Sequence, residues 1–430
     1  LINIVNVDPL NGGLTSTHRP IRPSDGGTMT EARRGWITTT EAAQRLGVKR
    51  ATLYAYVSRG LLRSERRPGQ QESLFDRAQI EAMARATRPA GSPQPLLRFR
   101  SVATAVSSQA DGELHYRGVP LDDVVASESV ETAAALVLGT TATAPRTRGP
   151  AAYGPGTPPR NLEGFDLARL PLERRMPVAV QLVAATDPFA QDTHPERVRA
   201  LALAVVPAAV ALAAGRGPGR PRIGTPPGLA ALTLAAVGGR TDRAGDVEVM
   251  RVLVVALLDH GLTASTVAAR VAASTRAGLC DCLCAAYAAM AGPLHGAAPV
   301  AAHALLAAGA DPTTLVARSL RDLGGVPGFG HFLYPEGDPR ARLVLDALWR
   351  RRGTARLRRR VQALAEVVAQ YTGSPPNIDL ASAAALHALG LPAEAGEVVF
   401  QVARSFGVAA HVAEEYAEEP LRWRGRDPQG

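Results

Sequence analysis

The sequence predicts a mainly all-α fold, on three observations. Alanine and leucine dominate a chain that is 46% hydrophobic and only 4% aromatic, a composition suited to helices packed closely through small side chains. From about residue 100 onward the pattern reads helix after helix, with breaks at glycine and proline clusters. At 430 residues the chain is long enough for two or three domains around a large buried core.

Residues 1–28 are rich in Gly, Pro, Ser and Thr without periodicity and are expected to be a disordered or non-native extension ahead of Met29. A small domain is expected over 29–90. Its stretch "ITTTEAAQRLGVKRATLYAYVSRGLL", residues 37–62, reads as two short helices. Thr39 or Thr40 caps the first, Ala42, Ala43 and Leu46 form its apolar face, and Gly47 makes the turn. The second runs from about Arg50 to Arg59 and stops at Gly60.

This pattern resembles the helix-turn-helix of the MerR and excisionase type, with "ERRPGQQESLFD" where a wing would come and "RAQIEAMARA" as a following helix. The resemblance implies a nucleic-acid surface on the second helix, with Lys49, Arg50, Thr52, Tyr54 and Arg59 suited to phosphate and base-edge contact on double-stranded DNA. Charge agrees. Residues 30–90 hold twelve Lys/Arg against six Asp/Glu, so +6 of the formal +9 sits there. "RPAGSPQP", residues 88–95, reads as the linker that ends this domain.

The longest irregular stretch beyond it, residues 140–160, reads as a surface loop. "LALAVVPAAVALAAG" is cut by Pro207 and too short to span a bilayer, so no membrane association is expected. Cys280, Cys282 and Cys284, in "CDCLC", are odd in number and lie within a helix-like run. They read as buried structural thiols in a reducing, cytoplasmic setting, with no metal site.

Four stretches place ionisable groups beside glycine or proline in apolar surroundings. They are "LLDHGLTAST" with His260, "GPLHGAAP" with His295, "GFGHFLYPEGDPR" with His331 and Arg340, and "PPNIDLASAAALHALG" with Asp379. Glycines beside a histidine let a substrate approach and hold the ring at a loop or helix start. One acid with several histidines suggests proton abstraction and stabilisation of the resulting anion. Read locally, Asp379 serves equally well as the cap of the helix that follows it. His115, His303 and His387 read as satisfied core residues, and so does His411.

In this order and at these separations the stretches resemble the citrate synthase family. Its "GPLHGGA", "GFGH…Y…DPR" and "N-V/I-D" motifs correspond to residues 292–297, 328–340 and 377–379, flanked by "GELHYRGVPLDD" and "FQVARSFGVAAHVAEE". The likeness covers roughly residues 100–430. It implies an all-α homodimer with a large domain over 91–290, a small domain over 291–395, and a return to the large domain with a tail over 396–430. Asp379 would be the base that takes a proton from the acyl-CoA, His295 would stabilise the enol, and His331 would donate to the carbonyl of oxaloacetate. His260, Arg340 and Arg404 would hold that keto acid, with no cofactor beyond the acyl-CoA substrate.

Departures are visible. Ala264 stands where the family commonly has asparagine, Ala297 replaces a glycine, and Phe332 replaces a frequent arginine. The tail "LRWRGRDPQG" lacks the family's proline and tyrosine, and Arg424, with Arg422 as the alternative, is the candidate for reaching the partner's site. The seven arginines of "WRRRGTARLRRR", residues 349–360, read as a solvated basic helix or as a surface that steers CoA phosphates. The function expected is condensation of acetyl- or propionyl-CoA with oxaloacetate. The alternative is a DNA-binding regulator that uses the same fold as a metabolite sensor.

Overall fold

The computed structural model describes residues 36–46, 53, 57, 62, 64–65, 73–77, 79–80, 102–110, 112–140, 162, 165–215 and 228–423. Two compact units divide between Arg88 and Pro89. The expected extension over 1–28 and the DNA-contact candidates Lys49, Arg50, Thr52, Tyr54 and Arg59 lie outside the described residues.

In the first unit, β1 (Trp36–Thr38) leads into α1 (Thr39–Leu46), followed by β2 (Ser64–Glu65) and β3 (Leu74–Asp76). Strand β3 lies between β1 and β2 and is antiparallel to both, so the stretch expected to be a wing forms a hairpin. The cap of α1 is Thr38, not Thr39 or Thr40. Glu41 donates its N–H to Thr38 Oγ1 at 3.2 Å, and Thr38 donates its own to Glu41 Oε2 at 3.1 Å, so two amides are satisfied reciprocally. Thr39 turns away to bond Ser73 O at 2.9 Å. Ile37, Ala42, Ala43, Leu53, Leu62, Phe75 and Ile80 form a small core, and Leu53 and Val57 are both helical.

The second unit opens with strands that the helical reading missed: β4 (Ser107–Ala110), β5 (Glu113–Tyr116) and β6 (Val119–Pro120), paired antiparallel in that order. Gly112 (φ 78°) and Gly118 (φ 83°) turn the chain between them, a conformation glycine adopts without strain. Helices follow: α2 (Leu121–Ser127), α3 (Val130–Leu138), α4 (Leu172–Ala184), α5 (Pro195–Ala213), α6 (Leu229–Ala236), α7 (Ala244–Leu257), α8 (Ala264–Ser274) and α9 (Leu279–Met290). After them come α10 (Ala298–Ala307), α11 (Pro312–Leu323), α12 (Pro339–Arg350), α13 (Ala355–Thr372), α14 (Ile378–Leu389) and α15 (Ala395–Tyr416).

Local chemistry sets many of these boundaries. Ser129, Asp311, Asp338 and Asn377 accept from the first amides of α3, α11, α12 and α14, and Pro312 and Pro339 open two of those helices. Gly324, Gly373 and Gly390 close α11, α13 and α14 in the left-handed conformation. Helix α5 runs through Pro207 instead of ending there, because surrounding helices bury that segment on every side. Helix α15 is buried along nearly its whole length against α3, α4, α5, α7, α8 and α9. Few exposed positions leave it no solvent face, as expected of a central helix.

Helices α12 and α14 pack together, and the loops before them are bonded to each other. Gly330 N–H donates to Pro375 O at 2.8 Å and Asn377 N–H to Gly328 O at 2.9 Å. Asn377 Nδ2 adds a bond to Gly330 O at 2.9 Å. The "GFGH" and "PPNID" stretches are thereby held edge to edge. Gly328, at φ +85°, lies so close to α14 that an added Cβ would stand 2.8 Å from Leu380 Cβ. Gly328→Ala combines left-handed strain with overpacking and is expected to destabilise the protein by about 2–4 kcal/mol. Chemical denaturation checks this, and an unchanged midpoint would show that the loop has room to move.

Candidate active site

Three of the expected histidines sit on short turns beside helix starts. His260 follows the end of α7, and its Nε2 lies 2.9 Å from Tyr334 Oη. The His331 ring stands 5.3 Å from His260 edge to face and 5.0 Å from Tyr334, and Phe332 stacks on it at 5.1 Å. His331 Nδ1 accepts the Leu333 N–H at 3.2 Å, so the neutral ring carries its proton on Nε2. His295 has the opposite arrangement. Its Nε2 accepts from Ser265 N–H at 3.4 Å and meets Ser265 Oγ at 2.8 Å, which leaves the proton on Nδ1.

All three rings are held neutral at pH 7. Burial, helped by Arg340 and Arg404, pushes the His260 pKa far down. Burial and Arg404 lower His295 to about 4, and burial and Arg340 lower His331 to about 4. The site therefore offers uncharged N–H donors.

Arg340 and Arg404 are both buried but differently engaged. Asp338 grips Arg340 through Nε at 2.9 Å and Nη2 at 2.8 Å, which leaves Nη1 without a partner among the described residues. Among the described residues Arg404 bonds only Leu257 O at 3.1 Å and Thr263 Oγ1 at 3.2 Å, with its guanidinium over the Phe400 ring at 4.8 Å. No carboxylate among the described residues comes within ion-pair distance of it. A buried guanidinium without an anion is a ready partner for a carboxylate ligand. Phe400 also meets His295, with ring centroids 5.3 Å apart.

Asp379 is not the helix cap. Asn377 takes that role, its Oδ1 accepting from Asp379 N–H at 3.0 Å and Leu380 N–H at 3.3 Å. The Asp379 carboxyl makes no hydrogen bond among the described residues, and burial raises its pKa to about 6 despite the nearby Arg340.

Several residues at this site escaped the sequence reading. Tyr334, Asp338, Thr263, Ser265 and Phe400 orient the groups named above. "DPR" carried a readable signal for Asp338, since an aspartate before a proline is a helix-start pattern. The bond from Ser265 to His295 had none, because 30 residues separate them.

The expectations for the remaining histidines are corrected. His115 and His303 are only partly buried and His387 is exposed, because β5, α10 and α14 turn those positions toward the surface. His411 is fully buried, but among charged groups: Asp259 Oδ1 lies 3.2 Å and Glu414 Oε2 3.7 Å from it. Arg422 pairs with Glu415 of its own chain at 2.5 Å, and Arg424 lies outside the described residues. The arginine cluster begins at the end of α12 opposite Arg340, about 15 Å along the helix. There Arg351 pairs with Asp246 and Arg360 bonds Leu306 O, while Arg352, Arg356, Arg358 and Arg359 are exposed. Cys280 and Cys282 are buried, with thiols pushed up to about 12, and Cys284 is partly buried. Among the described residues no group could hold a metal ion, and no helix is long and apolar enough to cross a membrane.

The family model described as citrate synthase, C-terminal domain, matches residues 97–425. The chain belongs to the citrate synthase family. A helix-turn-helix domain model matches residues 36–88. Citrate synthase 2 of Bacillus subtilis is 27% identical over 343 residues, covering 75% of this chain and 91% of that relative. A 2-methylcitrate synthase of Mycobacterium tuberculosis is 30% identical over 274 residues, 61% of this chain and 67% of the relative. The citrate synthase of Haloferax volcanii is 34% identical over 170 residues, and the match spans 45% of its length.

Solved structures agree on the all-α fold. Citrate synthase from Thermotoga maritima superposes with a TM-score of 0.63 at 24% identity, covering 77% of this chain and 94% of that one. The Thermoplasma acidophilum enzyme, solved as a ternary complex with carboxymethyl coenzyme A and oxaloacetate, has a TM-score of 0.61 at 23% identity, covering 77% and 93%.

The raised pKa of Asp379 has a consequence for stability. Its folded value of about 6 exceeds the unfolded value of about 3.9, so ionisation opposes folding. This penalty is absent below the unfolded value and fully felt above about 6. Asp379→Asn is therefore expected to stabilise the protein by about 2–3 kcal/mol at pH 7 and by almost nothing at pH 3. Paired thermal melts at the two pH values measure this, and a variant less stable at pH 7 would make the aspartate a structural residue.

Proposed function

We propose that the protein condenses an acyl-CoA with oxaloacetate and hydrolyses the resulting thioester, acting as a citrate or 2-methylcitrate synthase. One observation carries the reading. Two neutral imidazoles each have one nitrogen fixed by a backbone amide and the other left as an N–H donor without a partner among the described residues, and the Asp379 carboxyl, on the stretch bonded to the 328–330 loop, is not needed for capping. The relatives' activities and the ligands of the Thermoplasma complex support the same assignment.

In this scheme Asp379 removes a proton from the α-carbon of the thioester, and the electron pair moves onto the thioester oxygen, where His295 Nδ1–H stabilises it. The α-carbon then attacks the keto carbon of oxaloacetate while His331 Nε2–H protonates the developing alkoxide. Arg404 and the free edge of Arg340 hold the carboxylates of the keto acid, and His260 lies alongside. Water finally cleaves the thioester, releasing CoA. A thioester α-proton is far less acidic than an aspartic acid, so oriented donors in a dry site must supply much of the driving force. Closure of a small domain over 291–395 onto a large one over 91–290, in a homodimer, would provide that dryness. Exposed apolar side chains at Leu262, Leu294 and Phe332, each within two residues of one of the three histidines, suit a rim that closure or the acyl-CoA covers.

The test is CoA release with oxaloacetate and either acetyl-CoA or propionyl-CoA. Turnover is expected with at least one, and Asp379→Ala should lower it by a factor of about 100 or more. Because the ionised carboxyl is the active form, kcat/KM should fall about tenfold per pH unit below a value near 6. No turnover with either acyl-CoA in a folded protein would overturn the proposal.

A second reading is supported by the helix-turn-helix match and the β2–β3 hairpin: the first unit binds double-stranded DNA. If the protein is a homodimer, two such units related by symmetry should select an inverted repeat. Footprints confined to single half-sites, or binding insensitive to salt, would overturn this reading.

A further inference from the structure

Asp259, the residue before His260, is fully buried. Its Oδ2 accepts from Gly261 N–H at 2.9 Å and from Ser107 Oγ at 2.5 Å, and Ser107 Oγ also lies 3.0 Å from Gly261 N. Gly261 is in the left-handed conformation at φ +66°, so this one carboxylate oxygen closes the turn that aims His260. The other oxygen, Oδ1, lies 3.2 Å from His411 Nε2, an ion-pair contact outside hydrogen-bond geometry.

His411 is in turn held from behind. Arg270 Nη1 lies 3.1 Å from its Nδ1, and Thr104 Oγ1 lies 3.3 Å away. A guanidinium can only donate, so whether the ring is neutral or charged, Nε2 carries a proton toward Asp259. Arg270 continues the chain of charges to Glu414 at 3.0 Å and Glu415 at 2.8 Å. Glu415 receives Arg422 Nε at 2.6 Å and Trp423 Nε1 at 2.8 Å from the segment after α15. Asp259, His411, Arg270 and Glu415 all have no solvent exposure. Burying four ionisable groups is a poor way to gain stability, since apolar residues of similar volume do as well. Their placement behind the His260 turn gives them another use.

We infer that Asp259 and His411 are positioning residues of the keto-acid site, acting through the 259–261 turn on His260. The inference rests on the condensation reading and deepens it. Neither is among the residues assigned above to hold substrate. Asp259 fixes the turn, and His411 fixes Asp259 so that Oδ2 stays on Gly261 and Ser107.

The experiment compares His411→Leu with His411→Gln in the full chain, varying each substrate in turn and titrating oxaloacetate by calorimetry. His411→Leu is expected to raise the KM for oxaloacetate roughly 10- to 100-fold, by analogy with the loss of outer partners of metal-binding histidines. The KM for acyl-CoA should stay within about twofold, because uniform binding on that side is untouched. His411→Gln retains an N–H donor toward Asp259 and should recover most of the loss. Equal rises in both KM values, a fall in kcat alone, or no advantage of Gln over Leu would overturn the inference.

If His411→Leu does not fold, Ser107→Ala carries the test from outside α15. A smaller rise in the same KM supports the inference, and none overturns it. If the wild type shows no turnover, the condensation reading fails while calorimetry still decides the positioning: oxaloacetate affinity equal in wild type and variants overturns it. A wild type that neither turns over nor binds oxaloacetate overturns both.

Discussion

One buried carboxylate, Asp338, fixes the relative placement of most groups in the site. Its Oδ1 accepts from Arg340 N–H and Nε, and its Oδ2 accepts from Arg340 Nη2 and Ile378 N–H at 3.0 Å. The first of these bonds caps α12, and the last ties down the start of α14. Arg340 and Asp379 are therefore referenced to the same two oxygens although 39 residues separate them in sequence. Removing one partner of such a pair leaves an uncompensated charge in the interior, typically a loss of about 3–5 kcal/mol. The pair also explains why Asp379 has a raised pKa beside an arginine. Asp338 offsets much of the positive charge of Arg340, so burial dominates what Asp379 experiences.

The same logic sets the charge states of the histidines. Two guanidiniums and burial together make an imidazolium costly at positions 260, 295 and 331. A neutral ring has one donor and one acceptor nitrogen, and its acceptor must be satisfied if the donor is to point at a ligand. Backbone amides do this at His295 and His331, using donors that α8 and the 331–334 turn leave available. Positive charge is thereby concentrated on the arginines, where a dicarboxylate needs it. Hydrogen-bond donation is left to the rings, where negative charge would develop on oxygen.

Much of this was legible in the sequence, and the illegible parts share a cause. The cap at Asp338, the closing glycines and the apolar face of α1 are local features, readable from neighbours within four residues. The histidine and aspartate motifs were readable because glycine and proline around a titratable group are unusual within helices. What could not be read depends on contacts across the chain. The tautomers of His295 and His331, the capping of α14 by Asn377 in place of Asp379, and the passage of α5 through Pro207 are decided by packing. The β4–β6 sheet was missed for a different reason. The Asp-Gly pair at 111–112 is a good hairpin signal, but its strands are too short to show an alternating pattern against the surrounding helical background.

Helix α15 shows how one local pattern can serve several distant needs. Arg404, His411 and Glu415 are spaced at seven and four residues, which places them along one stripe of a mostly apolar helix that is buried along nearly its whole length. Their neighbours differ: Arg404 bonds the end of α7 and Thr263, His411 faces Asp259, and Glu415 holds Arg270, Arg422 and Trp423. Gly407, between the first two, has no Cβ because Asp259 and the Leu258 carbonyl press against the helix backbone there. That close approach is what brings Asp259 within reach of His411. An alanine at 407 would push the end of α7 away from α15, and the His260 turn would move with it. The stripe is therefore best understood as a spine: it supports the turn beside the site, supplies a guanidinium with no carboxylate at ion-pair distance among the described residues, and anchors the segment that follows the helix, all from side chains a few turns apart.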